Sequence, residues 1–373
     1  GGEGAEEGAT LSRQARRGAM EVAVSSMLSH PNIVQVYATF SGVVVVRCHY
    51  RDSPLPVLKL CAPDDPMLRS SDPGPLNQVL CLEYCDAGTL LAAARAGAFR
   101  LACATSASNG AIWPALGPLY TSLLEVALAL RHLHSRRLVH CDVKAANVLL
   151  KSSARDPRGW SCKLSDFGCV RLLNEAGPEG RLGFRVAHPL GTVGYMAPEC
   201  FVKGALLGPE VDIYAFGVLM WEVLMSRTPY GNMNPQDVPR QVLRSHLRPV
   251  FHPLAPPPYC SLAVRCWSGS PRRRPSASDL VAELQQLLAE AQKQQQQGQV
   301  QQQGAAAAGG SGGGRPPPPL WNLAPPPPPQ QQQMGAAARA AGAAMPPAAQ
   351  AIRSQASPQP PSPPPQQQQR PQA

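Results

Sequence analysis

The sequence predicts an α+β fold in which a small strand-bearing portion precedes a larger helical one. Three features lead there. Short apolar runs lie between Ile33 and Tyr84, apolar residues recur at helical spacing from Leu119 to Ala289, and from Gln292 onward Gln, Pro, Ala and Gly replace both patterns.

Thr10 to Ser29 can form a helix, since Leu11, Ala15, Ala19 and Val22 to Val24 give an apolar stripe and Pro31 a stop. Ile33 to Phe40 and Val43 to Cys48 read as strands. Residues 51–77, rich in Pro, Asp and Ser, read as a long loop or insertion, and Gln78 to Tyr84 is strand-like again. Leu119 to His134 has the helical period, and Leu138 to Leu150 reads as a loop entering a short strand. Val211 to Met225 and Ala277 to Ala289 are further helices. The expected organisation is a small portion over 1–85, a helical portion over 86–290 and a disordered tail over 291–373. Such a tail cannot bury enough apolar surface to offset its ordering entropy. Its runs Pro316–Pro319 and Pro325–Pro329 favour polyproline II and can dock on proline-recognition grooves.

The formal net charge of +10 does not mark a nucleic-acid surface, because Lys293, Arg315, Arg339, Arg353 and Arg370 are spread thinly along that tail. Eleven cysteines without a C-x-x-C pair argue against a zinc framework and for a reducing, intracellular compartment, cytoplasmic first and nuclear second. The apolar run Leu123 to Leu130 is interrupted by Glu125 and ends in Arg131, so no membrane span is expected. No signal peptide is visible, and a start at Gly1 rather than Met leads to the expectation of a missing upstream part.

Chemistry concentrates in His140-Cys141-Asp142-Val143-Lys144-Ala145-Ala146-Asn147, followed by Asp166-Phe167-Gly168. Val148 to Leu150 and Cys162 to Leu164 can pair across the Pro157-Arg158-Gly159 turn, a hairpin that would bring Asn147 and Asp166 together. This stretch resembles the catalytic loop and metal-binding triplet of protein kinases. The resemblance implies a two-lobed kinase fold, ATP and Mg²⁺ as cofactors, and protein substrates carrying Ser or Thr. Phosphoryl transfer needs alignment and charge neutralisation more than covalent help. Asp142 would accept the substrate proton, Lys144 would offset charge on the transferring group, and Asn147 and Asp166 would hold the metal, with Gly168 freeing the backbone beyond.

Other motifs follow in the family's order. His30-Pro31-Asn32-Ile33-Val34 looks like the turn leaving the regulatory helix, with Glu21 as that helix's glutamate. The resemblance makes Leu82 the gatekeeper, Glu83 to Cys85 the adenine-facing hinge and Leu149 the residue beneath the adenine. Gly191 to Glu199 closes the activation segment, with Thr192 near Asp142 and Lys144. Asp212 would hold the catalytic-loop backbone, and Arg274 would pair with Glu199, which explains the Arg272–Arg274 cluster without nucleic acid. Lys144 and Thr192 follow the serine/threonine pattern, while Trp221 and Cys266-Trp267 look like the tyrosine-kinase-like group, with runs that suit a plant or green-algal source. Many kinases carry an arginine before the catalytic Asp to pair with a phosphate on the segment; Cys141 stands there instead.

No G-x-G-x-x-G loop or V-A-I-K strand precedes Glu21, so the strand-bearing lobe reads as truncated. Lys59, the lysine before the hinge, follows Glu21 in the insertion. The expectation is a fragment of an active kinase, with a pseudokinase or partner-binding scaffold as the alternative.

Overall fold

The computed structural model describes residues 22, 24, 27–49, 57–69, 73, 74, 76, 78–100, 114–177 and 180–308, with side chains as far as 297. Val22, Val24 and Met27 are helical; Glu21 and most of the helix expected over Thr10 to Ser29 lie outside the described residues, as do the proline runs of the tail.

Strands β1 (Val36–Phe40), β2 (Val44–Cys48), β3 (Val57–Cys61) and β4 (Val79–Leu82) form two antiparallel pairs. β1 pairs with β4 from Val36↔Leu82 to Phe40↔Val79, with a bulge between Val36 and Ala38. β2 pairs with β3 from Val44↔Cys61 to Cys48↔Val57. β3 corrects the loop expected over 51–77. The segment Val-Leu-Lys-Leu-Cys is too short to stand out among the prolines around it, and it becomes a strand because β2 supplies the ladder that its backbone groups need.

Helix α1 (Leu90–Arg95) starts where Thr89 accepts the Ala92 amide on its hydroxyl. α2 (Leu116–Ser135) buries Leu119, Leu123, Val126, Ala127, Leu130 and Leu133, an apolar face at helical spacing. β5 (Leu138–Val139), β6 (Val148–Ser152), β7 (Trp160–Leu164), β8 (Arg171–Leu172), β9 (Glu175–Ala176) and β10 (Leu182–Gly183) follow. β6 and β7 form the expected hairpin, with Gly159 at φ +82° closing its turn.

α3 (Glu210–Met225) is buried from Val211 through Val223, so its sequence is apolar nearly all round and it forms the centre of the helical portion. Gly217 permits this packing, because a Cβ there would lie 2.8 Å from Cys266 Cβ and 2.9 Å from the Ala263 carbonyl oxygen. Those residues belong to α5 (Pro257–Cys266), which follows α4 (Val238–Arg244). Burying each Leu of this core contributes about 1.5–3 kcal/mol.

α6 (Ala277–Ala308) packs Leu280, Val281, Leu284 and Leu287 into the core and then continues past the boundary expected at Gln292. Its residues Gln292 to Gln297 are exposed. Once the packed turns have nucleated the helix, Ala and Gln extend it at little cost, which corrects the reading of a disordered tail from residue 291 as far as Ala308. Among the described residues no helix is long and apolar enough to cross a membrane.

Candidate active site

Three elements fix the loop between β5 and β6. From α3, the buried Asp212 accepts the His140 amide and His134 Nε2 on Oδ2 at 2.8 and 2.9 Å, and the Cys141 amide on Oδ1 at 2.8 Å. Cys141 thereby holds φ +65°, a left-handed turn uncommon outside glycine. His140 is also buried; its Nδ1 accepts the Asp142 amide at 3.3 Å while Nε2 lies 3.1 Å from the Ser165 carbonyl oxygen. These partners require a neutral ring protonated at Nε2. The His140 ring packs 5.2 Å from Phe167, so one side chain joins the loop to the turn bearing Asp166.

At the tip of the loop Asp142 collects four donors. Oδ2 accepts Lys144 Nζ at 2.7 Å and Asn147 Nδ2 at 3.1 Å; Oδ1 accepts the Thr192 amide at 2.9 Å and its hydroxyl at 2.7 Å. Lys144 Nζ also reaches Thr192 Oγ1 at 2.8 Å. Burial alone would raise the Asp142 pKa, but the bonds from Lys144, Thr192 and Asn147 outweigh it and hold the carboxyl below its ordinary value. Gly191, at φ +100°, lets the segment come this close, since a Cβ there would overlap the Cys141 carbonyl.

The hairpin delivers the other acidic turn. Ser165 donates its amide and hydroxyl to the Asn147 carbonyl at 2.9 and 2.8 Å, which brings Asn147 beside the residue preceding Asp166. Asp166 is exposed and left-handed at φ +66°, ahead of the short turn Phe167–Cys169.

The family model for the protein kinase domain matches residues 6–284. The chain belongs to the protein kinase family. Among curated proteins this kinase chain is similar to the serine/threonine-protein kinase mos of Patiria pectinifera, at 36% identity over 165 residues, 44% of this chain and 45% of that one. It is similarly related to the mos proto-oncogene kinase of Sus scrofa, at 36% over 174 residues, 45% of this chain and 46% of that one. A serine/threonine/tyrosine-protein kinase of Arabidopsis thaliana is 30% identical over 163 residues, 44% of this chain and 38% of that one. The chain thus spans less than half the length of these relatives.

A kinase domain implies ATP and a divalent cation, and the residues after the loop fit the cation. Both bonds from Asn147 Nδ2, to the Asp142 carbonyl at 2.9 Å and to Oδ2, turn the amide nitrogen inward. Asn147 Oδ1 therefore remains as a hard oxygen, and with the exposed Asp166 carboxylate it makes a donor set suited to a small cation that keeps waters and takes phosphate oxygens.

At the expected hinge, Leu82 is 49% exposed and the Glu83 amide donates to the Gln35 carbonyl at 2.8 Å. The Glu83 side chain turns away from the surface, to Lys151 Nζ at 2.8 Å and Lys163 Nζ at 2.9 Å. Leu149 is half-buried on β6 and bridges Thr89. Lys59 sits on β3 with its ammonium 3.1 Å from Met67 Sδ.

Two supports escaped the sequence reading. Arg158, inside the expected turn, is buried and bonds Asp156 Oδ2 at 2.7 Å and Glu125 Oε2 at 2.9 Å, which ties the hairpin to α2. The interruption that Glu125 makes in an apolar run was the available signal. Tyr195 OH bonds the buried Glu222 on α3. The expected Glu199–Arg274 pair is bidentate, at 2.6 and 2.9 Å, with Arg274 also donating to the Ser268 and Glu210 carbonyls.

Proposed function

We propose that this chain carries the catalytic machinery of a serine/threonine protein kinase that moves the ATP γ-phosphoryl group onto Ser or Thr hydroxyls, with Mg²⁺ as the cation. The four-donor cluster on Asp142 supports this reading most directly. A carboxylate offers about four lone-pair sites, so Asp142 is saturated as it stands and a substrate hydroxyl must displace a donor. Lys144 is the suited one, because its side chain is the more exposed partner of the pair and its charge is drawn to a phosphoryl group. As Lys144 leaves Oδ2, the vacated lone pair accepts the substrate hydroxyl proton, while Thr192 and Asn147 keep the carboxylate oriented. Bound ATP would supply the γ-phosphoryl group, with ADP as the leaving group, and its metal, which Asn147 and Asp166 would hold, would offset the charge that ADP gains.

The tyrosine-kinase-like assignment rests on Trp221, whose Nε1 donates to the Val250 carbonyl at 2.9 Å, and on Trp267, which stacks 5.5 Å from Phe251. A second reading, a scaffold that binds partners through the helical portion, is favoured by Lys59, whose ammonium contacts Met67 rather than the site. Radiolabelled ATP with Ser, Thr and Tyr peptides separates the two. Transfer to Ser and Thr that disappears in Asp142→Asn supports the kinase; transfer that survives the substitution refutes the role of Asp142.

A further inference from the structure

The turn that presents Arg274 to Glu199 also walls an open groove formed by His246, Arg248, Val264, Arg265, Trp267 and Arg273. Arg248 is held rigidly. Its Nε donates to the Trp267 carbonyl at 2.9 Å, its Nη1 to the Leu247 and Val242 carbonyls at 2.8 and 3.3 Å, and its guanidinium lies over Tyr214 at 5.1 Å. None of these contacts uses Nη2. That nitrogen borders Gly269, where an added Cβ would lie 3.7 Å away, and both residues line the groove. Arg273 is exposed on the turn Pro271–Arg273, and Arg265 bonds Glu283. Three arginines thus line one open groove, Arg265 already paired with Glu283, and Val264, 51% exposed, stands on its wall.

We propose that this groove docks a phosphorylated segment of a partner protein. A phosphoserine or phosphothreonine dianion suits guanidinium forks, which take its oxygens in charge-assisted pairs. Arg248, already fixed by three carbonyls and an aromatic face, loses little further freedom on binding. The exposed Val264 gives a neighbouring apolar side chain a seat. The gathering of charge in one concavity with an apolar wall favours a peptide over a membrane, which needs a broad open face, and over nucleic acid, which needs an extended basic track. Binding here is independent of phosphoryl transfer and is measured without ATP.

The test is fluorescence anisotropy with the full chain and a labelled phosphoserine peptide carrying an adjacent Leu. Its unphosphorylated twin, inorganic phosphate as competitor and vesicles containing phosphoinositide serve as the other arms. The twin is expected to bind about tenfold more weakly or worse, and Arg273→Glu and Gly269→Glu each to weaken the phosphopeptide by about tenfold at unchanged melting temperature. Arg47→Glu, an equal charge change on β2, should have no effect. Equal affinity for the two peptides, an equal loss in Arg47→Glu, or capture by vesicles with none of the peptide would each overturn the proposal. Gly269→Glu places a carboxylate beside Arg248 while all three arginines stay in the sequence, so retained binding there refutes the site even if Arg273→Glu does not fold.

Discussion

Thr192 donates its hydroxyl to Asp142 Oδ1 at 2.7 Å, and its own Oγ1 accepts Lys144 Nζ at 2.8 Å. One side chain of the segment 191–199 therefore contacts both the carboxylate and the ammonium of the loop 140–147. Thr192→Val keeps the branched shape and removes the hydroxyl. The expected result is a fall in kcat of about a hundredfold, the usual cost of misplacing a reacting group, with Thr192→Ser close to wild type. Steady-state kinetics on a Ser peptide check this, and an unchanged kcat in the valine variant would remove Thr192 from the site.

Asp142 and Asp212 should separate chemistry from folding. Asp142→Asn is expected to lower turnover by about 10²–10⁴-fold, at a stability cost of about 1 kcal/mol because one carboxylate oxygen keeps its donors. Asp212→Asn should cost more, about 3 kcal/mol, since the buried carboxylate serves two amides and His134 at once. Urea denaturation alongside a peptide assay distinguishes the two, and equal stability losses would contradict the assignment.

The Glu199–Arg274 pair is structural. Arg274 has a fully buried side chain, so Glu199→Gln leaves a guanidinium without its counter-charge and should destabilise by about 3–5 kcal/mol. A loss of activity in this variant at a temperature where circular dichroism shows it folded would point to a catalytic role instead.

Glu83 sets an acid limit. Burial opposes its ionisation, but Lys151, Lys163 and the Gln35 amide prevail and hold its pKa below the ordinary glutamate value. A carboxyl with a depressed folded-state pKa contributes stability above its unfolded value, about 4.3, and loses that contribution as pH falls through the folded one. The stability gap between wild type and Glu83→Gln should therefore be full at pH 7 and close below about pH 4. Urea midpoints across that range measure it, and a gap independent of pH would mean the lysines do not act through charge.

Control by segment phosphorylation is not expected. Between Asp166 and Glu199 the only hydroxyls belong to Thr192 and Tyr195, and the second is buried against Glu222. Cys141, whose thiol lies 3.6 Å from the Val139 carbonyl oxygen, offers no cation to a phosphate. Phosphatase treatment followed by an initial-rate assay should leave the rate unchanged; a loss that tracks removal of phosphate from Thr192 would show the opposite.

The sequence by itself determined the hairpin from Val148 to Leu164 and the α3 helix that carries Asp212, because each is written in local spacing, while the Glu199–Arg274 pair followed from the family resemblance. Only the tertiary structure decided the rest. Val57–Cys61 is a strand because β2 lies beside it, and Glu83 faces the hairpin because Lys151 and Lys163 stand on adjacent strands. Glu125 meets Arg158 across a helix–hairpin contact, and Ala277–Ala308 runs beyond its apolar stripe because its first turns are already packed. In each of these the deciding partner is distant in the chain or the deciding energy is cooperative. A buried charge or an isolated strand segment carries no local mark of the neighbour that satisfies it.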